Sequence, residues 1–473
     1  MLRENLPLYR MAIFRTALRG ALLTFSSLWA ANSDQLQWFA VSVPGNPAMH
    51  RSDAGMLGQD ESPSVLLDLC ARGGSYTGID LLYQTNEASV GSYRWKQPAV
   101  DFQLETAVEA LPGLVFGLDA VDHHPKTTAT DGSAKSELFD PQGGLRVGGG
   151  FDLLRSWRQK SSWRWVVAGW LPVFSQTREW ELRTGLIFAR KLRLDASAVW
   201  STPGIAARWT VPVDSVAPQD TLWWRSNQSR YALRIGGSPI PSLSLQAWGG
   251  TRRLRDPGQG AEPSWRNRGE AWFVGSQSSL ATGPLSWELE TRAEKGDQAV
   301  VFDGTSAFAA RVDSGILRSS TDFSAGSARL QSKATLAKSV DVGVELSGAW
   351  MDLENASVSG DAPPPVPTIS GRWSSTRRVS TVVAVSVHLP WATLEPRLGI
   401  QWSARDGQSI PIWQELMPFE TGRAWSMPVG LGIARHGSMN GKIAYVVSGN
   451  INMSGTTGPD LGLRHHLEMK QGF

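Results

Sequence analysis

Apolar and polar residues alternate with a period of two along most of this chain, and no other feature restricts its fold as much. Val340, Val342, Val344, Leu346 and Trp350 share one parity, while Asp341, Gly343, Glu345 and Ser347 share the other. The same pattern sets Leu285, Trp287, Leu289, Thr291 and Ala293 against Ser286, Glu288, Glu290, Arg292 and Glu294. It sets Leu394, Leu398, Ile400 and Trp402 against Glu395, Arg397, Gln401 and Ser403. Nearer the N-terminus, Val100, Phe102, Leu104 and Thr106 oppose Asp101, Gln103 and Glu105, and Trp180, Leu182, Thr184, Leu186 and Phe188 oppose Glu181, Arg183 and Gly185. Successive side chains of a strand point to opposite sides of the sheet, so each stretch reads as a strand with one greasy face and one charged face.

Strands of about ten residues or more, alternating in this way and separated by turn residues, are the expected form of a transmembrane barrel. A sandwich or a propeller also alternates, but with shorter strands whose second face need not be so charged. Beyond the N-terminus no apolar run reaches the roughly 18 residues that a spanning helix needs. Lipid leaves an open sheet edge unsatisfied, so a membrane form of this chain requires a closed barrel. The 22 Trp among 473 residues fit that reading. Trp163, Trp165, Trp200, Trp209, Trp248, Trp350, Trp391 and Trp402 fall at strand ends, where amphipathic rings suit the two headgroup levels. A Trp-lined carbohydrate-binding surface is the rival explanation.

The last thirteen residues carry the alternation to the end of the chain. Leu461, Leu463, His465, Leu467, Met469, Gln471 and Phe473 share one face, with Gly462, Arg464, His466, Glu468, Lys470 and Gly472 on the other. This strand, ending on Phe473, resembles the final strand of bacterial outer-membrane β-barrels of the porin-like class. Gln471 and His465 depart from the pattern by interrupting the apolar face. The resemblance implies an all-β fold, a single transmembrane antiparallel β-barrel with an even number of strands. It also implies that the barrel-assembly machinery reads Leu463, Leu467, Met469 and Phe473, that outer-membrane lipids surround the barrel, and that the protein resides in the bacterial outer membrane. Counting alternating segments gives roughly 18 to 22 strands.

Arg3, Arg10, Arg15 and Arg19 precede the apolar run Ala21 to Ala30, which reads as a signal peptide over residues 1–30 starting from Met1 or Met11. Residues 31–75 alternate poorly and are expected to form a periplasmic segment, a short plug or a first strand; residues 76–473 are expected to form the barrel. The formal charge of +3 resides in the leader, which holds four Arg and one Glu, so the remainder is neutral and no basic patch points to nucleic acid. Cys70 is the single cysteine, which excludes an internal disulfide. It reads as a small residue in a strand or a periplasmic segment. Gly148, Gly149 and Gly150 read as a bend, because no helix pattern or GxGxxG follows.

The connections 404–422, 354–376, 254–268 and 295–304 are expected at the outer end, with tight turns at Pro390 to Ala392, Ala337 to Ser339 and Gly437 to Gly441 at the inner end. Loop 123–142 falls at the outer end if 204–212 and 221–227 are separate strands. In loop 354–376, Pro363, Pro364, Pro365 and Pro367 form a stiff, solvated segment. Loop 404–422 is apolar, and Trp413, Leu416, Met417 and Phe419 are candidates to fold into the lumen as a constriction; packing on a neighbouring loop and partner binding are the alternatives.

The lumen face is expected to carry Arg146, Arg164, Arg183, Arg193, Arg234, Arg292, Arg397, Arg464 and Lys470 against Asp101, Glu105, Asp119, Glu181, Asp195, Glu288, Glu290, Asp341, Glu345, Glu395 and Glu468. The near balance of signs suggests cross-strand pairing without strong ion preference. Ser386 and His388 share a strand face, and His123 and His124 lie near Asp119 and Asp122; chance polar neighbours explain both better than catalysis. No GxSxG elbow, HExxH helix or P-loop is present, so neither an enzyme, nor a metal site, nor a cofactor is expected. Three function classes fit: a passive channel or transporter for small solutes or lipophilic molecules, a structural or secretion-associated barrel, and a secreted Trp-rich glycan-binding β protein. Homo-oligomer formation is open.

Overall fold

The computed structural model describes the backbone of residues 65–472 except 91–92, 131–134, 140–141, 157–162, 176–177, 189–191, 212–219, 256–264, 304–315, 361–373, 408–421, 437–441 and 454–460. A short helix, α1 (Val65–Arg72), leads into β1 (Ser75–Val90), β2 (Tyr93–Leu111), β3 (Leu114–Thr130), β4 (Lys135–Phe139) and β5 (Gln142–Asp152). One turn of helix, α2 (Leu153–Ser156), precedes β6 (Trp163–Ser175), β7 (Arg178–Phe188), β8 (Leu192–Val211), β9 (Asp220–Ile240), β10 (Leu243–Arg255), β11 (Trp265–Thr282) and β12 (Leu285–Asp303). Then follow β13 (Ile316–Ala337), β14 (Val340–Gly360), β15 (Ser374–His388), β16 (Thr393–Gly407), β17 (Gly422–His436), β18 (Lys442–Asn452) and β19 (Leu461–Gly472).

All nineteen strands belong to one sheet, and neighbours along the chain pair antiparallel almost throughout. The chief exception is β4, which joins the far ends of β3 and β8 beyond the shorter β5, β6 and β7. Leaving β4 aside, eighteen strands remain, and β1 is paired with β2 on one edge and with β19 on the other, so the ladders return to their starting strand. β19 runs in register against β1 from Tyr76↔Gly472 to Thr85↔Leu463, and against β18 from Lys442↔Lys470 to Ile451↔Leu461.

Connections differ between the two ends of the ring. At the end where β1 starts, β2 to β3, β9 to β10, β11 to β12 and β13 to β14 are joined by two residues each. Gly113 and Gly283 occupy two of these turns at φ 79° and 59°, which glycine reaches without a Cβ penalty. The connections 212–219, 256–264, 304–315, 361–373 and 408–421 fall at the opposite end, while the ten-residue connection 153–162, which holds α2, lies at the end where β1 starts. The loops expected around 254–268, 354–376 and 404–422 and the turns at 337–339 and 390–392 lie at the expected ends, but 295–303, expected as a loop, belong to β12. Residues 204–212 and 221–227, however, are not separate strands. Residues up to Val211 belong to the continuous β8, and 221–227 belong to β9. Nor is 123–142 a single loop: 123–130 complete β3 and 135–139 form β4, both at the end where the long connections lie.

Exposure follows the two-residue period. On β14, Leu346 and Trp350 are exposed, and on β6 Trp163, Trp165, Leu171 and Val173 are exposed while Val166, Ala168 and Trp170 are buried. Those buried residues pack on α1, which touches β1, β2, β3, β5, β6 and β7. An element in contact with six consecutive strands of a ring stands on its concave side, so the face bearing Val166 and the charged residues is the inner one. Leu182, Leu233, Ile235, Trp272, Val274, Trp287, Leu289, Val379, Val383, Leu398, Ile400, Trp425 and Leu431 point outward and are exposed. Trp248 does not join them. It is buried on the inner face of β10, against Gly275 of β11, because its parity is that of Arg252 and not that of Leu245.

Candidate functional site

The inner face is a dense array of ion pairs. Asp119 and Arg146 stand directly opposite each other on β3 and β5, with Nε donating to Oδ2 at 2.7 Å. Glu290 accepts from Arg292 Nε at 2.8 Å and from the facing Arg329 at 2.9 Å. Glu395 accepts from Arg397 Nε at 2.6 Å and from the Ser386 hydroxyl at 3.0 Å, while Lys333 reaches Asp341 at 2.7 Å. Arg183 pairs with Glu181, Glu288 accepts from Gln277 at 2.9 Å, and Glu345 accepts from Gln331 at 2.6 Å. Cross-strand pairing is thus one mode of two. Glu181 with Arg183, Arg193 with Asp195, Glu290 with Arg292 and Glu395 with Arg397 pair along one strand, since residues two apart share a face and an arginine is long enough to turn back.

Beneath α1 the inner wall changes character. Leu66, Leu67, Leu69 and Cys70 are buried against Ala107 of β2, Val115 of β3, and Val166, Ala168 and Trp170 of β6. A Cβ at Gly117 would lie 2.8 Å from Trp170 and 2.9 Å from Leu66; one at Gly148 would lie 2.6 Å and 2.7 Å from the same two side chains. A Cβ at Gly150 would collide with Cys70 Sγ. Gly148 and Gly150 are therefore not a bend. They are extended residues of β5 whose missing side chains make the seat of a helix. Cys70, expected in a strand or periplasmic segment, is a buried helical thiol, and burial beside Asp152 and Glu109 pushes it up to about 12.

The wall also caps the helix. The last carbonyls of a helix lack partners within it. Here Arg155 Nη1 donates to Leu69 O at 3.4 Å and Cys70 O at 3.0 Å, and Arg164 donates to Ala71 O. The chain leaves the helix through Gly73 and Gly74 at φ 82° and 104°, with Gly73 N–H donating to Leu69 O at 2.6 Å. Glu109 binds Arg155 at 2.9 Å and accepts from Gly113 N–H at 2.8 Å. Arg193 is shared between Asp195 on its own strand and Asp68 on α1. Sequence reading placed Arg164 and Arg193 on this face but missed Arg155, Glu109, Asp68 and the helix itself. The available signal was Leu66, Leu69 and Cys70 at i, i+3 and i+4.

A second buried cluster lies on β9 to β12, where Arg252 pairs with Glu294 and the Arg230 guanidinium lies 4.7 Å over the Phe273 ring. Ser386 and His388 do not bond to each other. His388 is held between Asp341 at 2.9 Å and Thr393 at 3.0 Å, which makes it a strand-end tie. Asp119 is committed to Arg146, and no group of metal-ligating side chains occurs among the described residues. Trp413, Leu416, Met417 and Phe419 lie outside the described residues, as does Phe473. Leu467 and Met469 share one parity on β19 with Leu463.

No protein-family model matches the chain, and no characterised protein matches it by sequence. Among solved structures it is similar to OccK2 (OpdF) of Pseudomonas aeruginosa in complex with glucuronate, at 12% identity and TM-score 0.40 over 85% of this chain and 99% of that one. It is similar to OccAB3 of Acinetobacter baumannii at 12% identity and TM-score 0.40, over 85% and 99% of the two chains. A loop-deletion form of OmpT, an outer membrane protein of Vibrio cholerae, matches at 8% identity and TM-score 0.34, over 84% and 98%.

Proposed function

We propose that this chain is an outer-membrane β-barrel of eighteen strands whose charged interior is a passive channel for small polar solutes. The reading is carried by the division of faces, with exposed Leu, Val, Ile and Trp on one and paired charges on the other, in a sheet whose first strand pairs with both β2 and β19. The outward residues of β14 from Val340 to Trp350 cover ten steps, or about 33 Å of strand, which at a tilt near 40° is roughly 25 Å of height. That is about the height of the apolar band of outer-membrane barrels. Outward aromatic residues mark both borders of the band: Trp163, Trp165, Trp287 and Trp391 at the short-turn end, and Trp200 with Tyr231, Trp350 and Trp425 toward the other. A glycan-binding surface needs a local aromatic patch, whereas these rings circle the molecule. A structural or secretion-associated barrel shares the same wall and differs only in passing no solute.

The test is single-channel recording in planar bilayers of the protein extracted with detergent. Stepwise conductance is expected, with cation-to-anion selectivity near unity because the inner charges pair. Membrane insertion without conductance would favour the structural reading, and a protein that stays monodisperse without detergent would contradict both.

A further inference from the structure

The inner wall below β1 to β7 is built to hold α1, and the contacts fix how α1 stands. Leu66 lies against Gly117 and Gly148, while Cys70 lies against Gly150, nearer the short-turn end where β1 begins. The helix therefore rises from that mouth into the interior. Its N-terminal half is restrained by Asp68 on Arg193, and its C-terminal end by Arg155 and Arg164.

We propose that α1 is a fixed internal strut that narrows the channel at its short-turn mouth, held there by Arg155 and Arg193, so that it sets the size limit of solutes at that end. This rests on the channel reading above. Eighteen strands spaced about 4.8 Å apart and tilted near 40° give a wall of roughly 18 Å radius, or about 12 Å once inward side chains are counted. A helix about 10 Å across takes close to a fifth of that opening. The apolar seat, the glycine wall and the capped carbonyls are what a permanently docked element requires. A segment that swung freely would leave Val115, Val166 and Trp170 facing water.

Cys70 supplies the readout, since it is the one thiol of the chain and it is buried under α1. In the folded protein in vesicles it should react with maleimide at least about tenfold more slowly than after heating in detergent. The double variant Arg155→Gln with Arg193→Gln should release the helix, expose the thiol to labelling and raise single-channel conductance by about a fifth or more. Adding Gly150→Cys to that variant allows a disulfide to Cys70, which displaces the helix slightly from its seat, so oxidation should hold α1 at the wall and lower conductance toward the wild-type value, and reduction should reverse it. Retention of heat-modifiable mobility in gels confirms a folded barrel in each case. Rapid labelling of Cys70 in the wild type, a double variant whose thiol stays protected, a released helix with unchanged conductance, or a cross-link that fails to lower it would each overturn the proposal. Absence of conductance in every variant, with Cys70 still protected, would instead count against the channel reading.

Discussion

The wall under α1 and the wall formed by β12 to β16 use the same alternation for opposite ends. Both present apolar side chains outward, as Leu171 and Val173 do on one side and Leu346 and Leu398 on the other. Their inner faces differ. Under α1 the inward positions are Gly117, Gly148, Gly150, Val115, Val166, Ala168 and Trp170, a dry seat for a helix. Across the ring they are Glu290, Arg292, Arg329, Glu395 and Arg397, which pair with one another. The period of two decides which way a side chain points, and what stands opposite decides its chemistry. Inward glycine and apolar residues on an otherwise charged inner face thus mark a docked element.

Three measurements sharpen this contrast. The largest effect is expected for Trp170→Ala, which removes the side chain on which Leu66 and the glycine seat close; loss of about 3 to 5 kcal/mol in denaturant unfolding from vesicles is expected. The same truncation at an outward position, Trp287→Ala, should cost less, since it leaves no interior cavity. Next is a pair of glycine substitutions. Gly148→Val overpacks the seat and should cost about 1 to 3 kcal/mol, whereas Gly343→Ala on β14, whose added Cβ would meet nothing nearer than 3.7 Å, should stay within about 0.5 kcal/mol. Equal costs at the two sites would erase the distinction between the walls.

A further effect, confined to alkaline pH, concerns Cys70. The Cys70 thiol is neutral in its seat and is pushed from its ordinary value near 9.0 up to about 12, so burial opposes its ionisation. A group raised on folding contributes stability that is complete below its unfolded value and lost as pH climbs toward its folded one. Docking of α1 should therefore be indifferent to pH up to about 9 and weaken between there and 12, seen as faster thiol labelling than thiolate formation alone explains. Cys70→Ser should abolish that dependence in the unfolding midpoint, and a midpoint equally alkali-sensitive in the variant would contradict the assignment.

The alternation was readable because it depends only on local parity. It placed Arg146, Glu288, Glu345 and Arg397 on the inner face and Leu467 with Met469 on the parity opposite Glu468 from residue order alone. The helix was not readable in the same way. Eight residues make little more than two turns, Asp68 interrupts the apolar stripe, and its partners Gly117, Gly148 and Trp170 lie fifty to a hundred residues away along the chain. Gly148 to Gly150 looked like a bend because a glycine run signals one locally, while the reason for this run is a contact across the interior. Trp248 misled in a related way, since its share in an aromatic border depends on parity, and its own parity points inward.

The division of faces itself is tested most directly on β14. With Cys70→Ser as background, single cysteines placed in turn at positions 341 to 348 and reconstituted in vesicles can be probed with a charged, water-soluble thiol reagent and with a lipid-borne quencher. Alternation is expected: positions 341, 343, 345 and 347 react with the water-soluble reagent, and positions 342, 344, 346 and 348 are reached only from lipid. Equal reaction of both parities with the water-soluble reagent, or of neither, would contradict a ring with a wet interior and a lipid-facing exterior.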